Sequence, residues 1–273
     1  MFLVHDRGVV LVDAPPTIGD NLTNAFRQVT QKPLTHLVYS HSHGDHIGGA
    51  AQAVTTARKQ HPEQNVQIIG HRRTAALLAE KWPSVTELGG PRPTPTVTFA
   101  KGKTLRVGRH TLRLEHRGAN HSPDNLFIWA PQQKVLMLVD VLFPGWTPFK
   151  DVAFSEDIPG WFRAHDQALG YPFQKVVAGH VARVGTRADA IVQREYIHDL
   201  RDATLAAVAK VDFRDIAKAL GTNNAWAIFD AYYAEVARVA ADAVTPKWID
   251  RLGAVDIFTD DHALTLTAAV RLD

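Results

Sequence analysis

With 273 residues, 45% of them hydrophobic, the chain can bury a sizeable core in one large domain or in a domain with an appendage. Thirty Lys and Arg against 28 Asp and Glu leave a formal net charge of +2, and no basic run argues for a nucleic-acid partner. The absence of cysteine excludes disulfides and thiolate metal ligands, and no apolar run reaches the roughly 18 residues that a membrane-spanning helix needs.

No signal peptide is visible, but Met1-Phe-Leu-Val reads as the start of a strand with no lead-in, as in a chain trimmed at its N-terminus. A soluble protein is expected, with cytoplasm and periplasm both open. Phe2 to Val4 and Val9 to Val12 read as strands joined by a turn at Asp6-Arg7-Gly8, the second stopped by Pro15 and Pro16. Asp13, just past it, suits a turn. Asp20 is placed to cap a helix running to about Thr30, with Leu22, Ala25, Phe26 and Val29 as its apolar stripe.

Leu34 to Tyr39 reads as a short buried strand, and Ile47 to about Gln60 as a helix opened by Gly48 and Gly49. Between them lies His41-Ser-His-Gly-Asp-His46. In extended backbone His41 and His43 point the same way and can grip one ion. Asp45 and His46 follow the hinge Gly44, where a turn can aim them at a second. Two metals about 3.5–4 Å apart form a known hydrolytic device.

Val66 to Ile69 reads as a strand and Thr74 to Lys81 as a helix ended by Pro83, giving the order ββαβαβα of a sheet layered with helices. Pro83 to Thr96, with four prolines, reads as a loop crossing the fold. Thr96 to Phe99, Thr104 to Val107 and His110 to His116 alternate like antiparallel strands, the last two turning at Gly108-Arg109. Asn120-His-Ser-Pro-Asp-Asn125 then puts His121 on a loop before the strand Leu126 to Ala130. After a turn at Pro131 to Lys134, the apolar run Val135 to Val139 reads as a strand buried on both faces and closed by Asp140, a charge that needs a partner. Leu142 to Phe162 is an aromatic-rich stretch that suits either a loop tacked onto the core or a wall of a substrate pocket, with Lys150 read as a solvated lysine. Trp161 to Leu169 reads as a helix, and Lys175-Val-Val-Ala-Gly-His180 as a strand ending in a histidine.

The loop His-Ser-His-Gly-Asp-His-Ile-Gly-Gly resembles the signature of the metallo-β-lactamase-fold hydrolases. His121 within His-Ser-Pro-Asp-Asn, Asp140 and His180 stand where that family places its later ligands. The resemblance spans about residues 1 to 185. It implies an α/β fold, an αββα sandwich of the metallo-β-lactamase type (residues 1–186); the residues after it (187–273) read from their helical pattern as a mostly helical C-terminal extension that packs on the core or forms a homodimer surface. It further implies that His41, His43 and His121 hold one divalent ion, that Asp45, His46 and His180 hold the other, that Asp140 bridges them, and that Asp13 buttresses the loop. Imidazole ligands suit zinc first, and iron or manganese also fit.

The implied chemistry is that of a metal-dependent hydrolase. A hydroxide held between the ions, oriented by Asp45, attacks a small ester, lactone, lactam or thioester. The His-Ser-Pro-Asp-Asn form is closest to the true β-lactamases, but those carry cysteine where this chain has Asp140, which moves the site toward the glyoxalase II and lactonase type. Alternatives are a phosphodiesterase or nuclease of the same fold, a non-catalytic metal-binding or regulatory protein, and a redox di-iron protein. Against the last, His43 stands where the redox branch normally carries glutamate, and no flavin-binding domain follows.

From Arg187 onward, Ala188 to Ala209, Phe213 to Leu220, Asn224 to Asp242 and Thr245 to Leu252 read as helices punctuated by Gly221 and Pro246. Asp260 to Leu272 suits a helix or a strand. The remaining histidines, His165, His198 and His262 among them, read as packing or surface residues.

Overall fold

The computed structural model describes residues 1–80, 90–180 and 183–272, so Lys81, Pro83 and the proline-rich stretch up to residue 89 lie outside the described residues. The chain divides into two compact units, Met1–Val139 and Asp140–Asp273. The change into helical sequence after residue 186 coincides with the first residue of a long helix, while the compact units part earlier, at Val139.

The first unit begins with β1 (Phe2–His5), antiparallel to β2 (Gly8–Val12). β3 (Leu34–Val38) and β4 (Gln67–His71) add parallel strands, and β5 (Val97–Phe99) completes a five-stranded sheet in the order β1-β2-β3-β4-β5. The expectation that residues 96–99 join the antiparallel strands after them is corrected here, because β5 pairs in parallel with β4. Three residues that alternate say that a strand exists but not which edge it joins.

Helices α1 (Asn21–Val29), α3 (Ala50–Gln60) and α4 (Arg72–Ala79) cross between parallel strands. All five residues of β2 are buried, as expected for a strand covered on both faces. Val9, Leu11, Leu37, Tyr39, Ile47, Val54 and Ile68 share one core, with Phe2 and Phe26 packed against it. Leu37 has no exposed surface, so Leu37→Ala should cost about 2–5 kcal/mol and lower the urea midpoint at unchanged slope.

Asp20 does stand just before α1, but its backbone is already helical (φ −67°, ψ −16°), so its side chain makes no cap and accepts from Gln52 Nε2 at 3.4 Å instead. Of the apolar stripe, Leu22 and Phe26 are half-buried, whereas Ala25 and Val29 face solvent. β6 (Gly102–Val107), β7 (His110–Glu115), β8 (Phe127–Ala130) and β9 (Val135–Met137) pair antiparallel in succession, with Gly108 (φ 57°) in the expected hairpin.

The second unit holds a single left-handed turn, α5 (Lys150–Phe154), and the helix α6 (Ile158–Leu169), capped by the Asp157 carboxylate on the Gly160 N–H. β10 (Lys175–Val177) pairs antiparallel with β11 (Gly185–Thr186), and α7 (Arg187–Lys210) follows. Thr186 and Asp189 form a reciprocal capping box at its start. α8 (Phe213–Leu220) and α9 (Ala225–Trp248) are capped by Asp212 and Asn224, and α10 (Val255–Leu272) closes the chain.

The two helices expected on either side of Pro246 are one, α9, with Pro246 two residues before its end. The last segment is wholly helical and begins at Val255. Tyr196 and Trp248, both fully buried, meet edge to face at 5.5 Å where α7 packs on α9. Among the described residues, no helix is long and apolar enough to cross a membrane.

Candidate metal centre

The C-terminal ends of β2 and β3 lie side by side, which is where open α/β sheets place their ligands. β3 delivers Ser40 and His41. The chain then makes a short helical turn, α2 (Gly44–Ile47), rather than the plain turn expected, so Asp45 and His46 stand on a helix and the longer helix starts at Ala50. The break at Gly48-Gly49 has a steric cause, since a Cβ on Gly49 would meet the Ala14 carbonyl oxygen at 2.7 Å.

His41, His43 and His121 offer ring nitrogens that lie within 4.8 Å of one another. Ring centroids are 4.5 Å apart for His41 and His43, 4.9 Å for His43 and His121, and 5.2 Å for His41 and His121. The His46 ring is 4.5 Å from that of His41. His41, His46 and His121 are buried, while His43 is half-buried. His121 Nε2 and His43 Nδ1 face each other at 3.0 Å, a contact between two ring nitrogens that needs a shared proton or a cation between them. Three converging imidazoles from two loops suit a divalent metal ion. Beside them, Asp45 Oδ2 lies 3.6 Å from His46 Nε2, with the Asp45 side chain 36% exposed.

The loops are held by residues that the sequence alone singled out only in part. Asp13, buried and at φ 58°, accepts the Ser40 N–H at 2.8 Å and places its other oxygen 3.5 Å from His46 Nδ1. Ser40 Oγ is 3.0 Å from His41 Nδ1, a contact that fixes the ring's orientation and leaves Nε2 for a metal. Asn125 Nδ2 donates to Asn120 Oδ1 and to the Val139 carbonyl, both at 3.0 Å, while Asn120 Oδ1 accepts the His121 N–H at 2.7 Å. Asp124, fully buried, accepts from Ser122 Oγ at 2.9 Å. Arg92 Nη1 donates to the Ser42 carbonyl at 2.7 Å. Ser40, Asn120 and Arg92 carried no signal in the sequence, because their partners are backbone groups and side chains brought in by the fold.

In the second unit, Asp140 follows a buried run, takes φ 59°, and lies with Oδ1 3.2 Å from His180 Nε2. Trp161 Nε1 donates to its carbonyl at 3.0 Å. The partner demanded by a charge at the end of a buried strand is thus supplied in part by His180. His180 itself (φ 58°, side chain 36% exposed) lies three residues beyond the end of β10, so the strand expected through it is shorter. Asp13, Asp140 and His180 are three of nine non-glycine residues with positive φ among the described residues, a conformation that costs free energy and collects at functional sites.

The family model described as "Metallo-beta-lactamase superfamily" matches residues 1–205. The chain belongs to this superfamily. A metallo-beta-lactamase type 2 from Elizabethkingia meningoseptica is 25% identical over 186 residues, covering 66% of this chain and 67% of that one. The solved metallo-beta-lactamase from Pontibacter korlensis superposes with a TM-score of 0.56 at 24% identity, over 71% of this chain and 84% of its own. The stereoselective inverting sec-alkylsulfatase Pisa1 from Pseudomonas sp. matches 98% of this chain with a TM-score of 0.65 at 18% identity, and this chain spans 46% of its length. These likenesses show the fold of the superfamily, together with the helical C-terminal region. Membership makes the chain a metal-dependent hydrolase with a His/Asp cluster suited to a metal ion.

Proposed function

We propose that the chain is a dinuclear, zinc-dependent hydrolase of a small ester, lactone, lactam or thioester. The observation that supports this best is the convergence of His41, His43 and His121, with Asp45 and His46 alongside. The resemblance to the superfamily's motifs implies His41, His43 and His121 for one ion, Asp45, His46 and His180 for the other, and Asp140 as the bridge. Bound divalent ions supply a Lewis acid and bring the pKa of a bound water to about 7.

The protein's own part is positional. Ser40 and Asp13 set the rings of His41 and His46, and the half-exposed Asp45 carboxylate accepts a proton from the attacking water and orients it. Aspartate at position 140, in a chain without cysteine, supports an ester or lactone substrate over a β-lactam. The near-neutral charge supports a small molecule over nucleic acid. Exposed Phe213, Leu220, Trp226 and Phe229, on α8 and the start of α9, support a homodimer surface there, which light scattering would read as twice the chain mass.

Elemental analysis, combined with turnover of a cephalosporin, a lactone, a thioester, an aryl ester, a phosphodiester and an alkyl sulfate, tests the reading. About two metals per chain and chelator-sensitive turnover of one carbonyl substrate are expected. Turnover of the phosphodiester or the sulfate alone would replace the substrate class, and no metal after reconstitution would overturn the proposal. Asp45→Ala should lower kcat by about 10²–10⁴-fold, the usual yield of a positioned acid or base. Unchanged activity at full metal loading would remove Asp45 from that role.

A further inference from the structure

The aromatic stretch after Asp140 is tied down at three points by α10 and the turn that leads into it. The Thr147 N–H donates to the Gly253 carbonyl at 3.0 Å, and the Gly253 N–H returns to the Gly145 carbonyl at 2.9 Å. Trp146 lies so close over Gly253 that a Cβ there would meet its ring at 2.5 Å. His262 Nε2 donates to the Phe149 carbonyl at 3.1 Å. A carbonyl can only accept, so this contact sets the His262 tautomer and makes the Tyr196 hydroxyl the donor to Nδ1 at 3.1 Å. Thr259 Oγ1 lies 3.0 Å from that hydroxyl. Asp261 is the third tie, accepting from Lys150 Nζ at 3.0 Å and from the Asp151 N–H.

These ties hold an unusual backbone. Asp151, Val152, Ala153 and Phe154 are all left-handed, with φ between 50° and 60°, and one of them is β-branched. Left-handed backbone is strained for residues other than glycine, so the run persists only where its surroundings over-determine it. Its consequence is the position of Phe149, whose ring meets the His180 imidazole edge to face at 5.0 Å and packs on Phe143 and Phe154 at 5.5 Å. Phe154, packed on Phe149, is more than half exposed, so aromatic surface faces solvent one ring away from His180.

We propose that α10, through Asp261, is the positioning element for an apolar subsite formed by Phe149 and Phe154, which takes the alkyl chain of an acyl or alkyl substrate. The proposal builds on the hydrolase reading by naming the substrate's apolar part. Asp261 touches no reacting atom. It holds the turn, and the turn holds the ring.

Calorimetric titration of the metal-loaded protein with butanoate, hexanoate, octanoate and decanoate tests this without turnover. Affinity should rise about two- to fourfold per methylene, the range between partial and full burial of a CH₂. Asp261→Ala and Phe149→Ala should each flatten that rise to below 1.5-fold per methylene at unchanged metal content. On the matching p-nitrophenyl esters, Asp261→Ala should raise KM for the long chains while kcat for the acetate stays the same. If Asp261→Ala does not fold, Asp261→Asn, which keeps one acceptor and loses the ion pair, takes its place beside Phe149→Ala.

A flat series in the unaltered protein, or a rise that survives both substitutions, overturns the subsite. Turnover of an ester with a flat binding series leaves the hydrolase standing without it. A steep series with no turnover of any ester keeps the subsite and removes esters from the proposed substrate class.

Discussion

His121→Ala should leave a folded protein that has lost both metal and activity. His121 arrives on a loop about eighty residues after His43, yet its Nε2 lies 3.0 Å from His43 Nδ1 and its ring 5.2 Å from that of His41. Removing it takes away one of three converging donors without cutting into the sheet, because the loop is held by Asn120 and Asn125 rather than by the imidazole. A metal ion contributes several kcal/mol of charge stabilisation in the transition state, so its loss should lower kcat/KM by about 10³-fold or more.

Asn120→Ala makes the useful contrast. It removes an outer partner and should weaken metal affinity by about 10–100-fold, recoverable with excess metal. Metal content after dialysis, circular dichroism and kcat/KM at saturating metal separate the two. A His121→Ala protein that retained two metals would remove His121 from the ligand set.

The second large effect is on acid stability. His165 and His262 are both buried in the helical unit, and burial pushes each down to about 4. Both rings also spend a nitrogen as acceptor: Gln193 Nε2 lies 2.9 Å from His165 Nε2, and His262 Nδ1 accepts from Tyr196. Protonation would therefore bury a charge and break a hydrogen bond at once.

Between pH 6.5 and 4 the unfolded chain binds protons at these positions and the native one does not, so stability is constant above about 6.5 and falls as the pH drops. A shift from 6.5 to about 4 corresponds to on the order of 3 kcal/mol per histidine. Together that is a large part of the roughly 5–15 kcal/mol by which domains are stable. His5, His36, His71 and His198 are lowered by burial too and act in the same direction. Urea midpoints from pH 8 to pH 4 should show this fall, and a His165→Gln/His262→Gln double variant should lose most of the slope. An equal slope in both proteins would place acid sensitivity elsewhere, for instance in proton-linked metal release.

The ligand loop was legible because its information is local. His41, His43, Asp45 and His46 fall within six positions after a buried strand, and no long-range fact is needed to see four metal-binding side chains there. α7 and α8 were legible for the same reason, since apolar spacing and end signals act within a turn of the residue that carries them.

Other features depended on partners far along the chain. β5 alternates like its antiparallel successors, but it pairs in parallel with β4, and nothing within three residues decides a neighbour. Pro246 reads as a stop but lies where a helix is already ending. The left-handed turn at Asp151 to Phe154 has no signature in residues as ordinary as Asp, Val, Ala and Phe. It is held by Asp261, which accepts the Asp151 N–H, and by His262, which binds the Phe149 carbonyl just before it, both more than a hundred positions on.

By itself the sequence determined which side chains are candidate donors, the strand ends that precede them, the absence of thiolates and the helical character of the second half. Those properties follow from side-chain chemistry and from periodicities of two and 3.6 residues. Only the tertiary structure decided that Asp13 and Ser40 hold His46 and His41, that Asn120 and Asn125 fix the third histidine's loop, and that α10 sets the ring beside His180. Each is a hydrogen bond or close packing contact whose partner is chosen by the fold, and such contacts stabilise only after the whole unit has paid the entropy of bringing distant segments together.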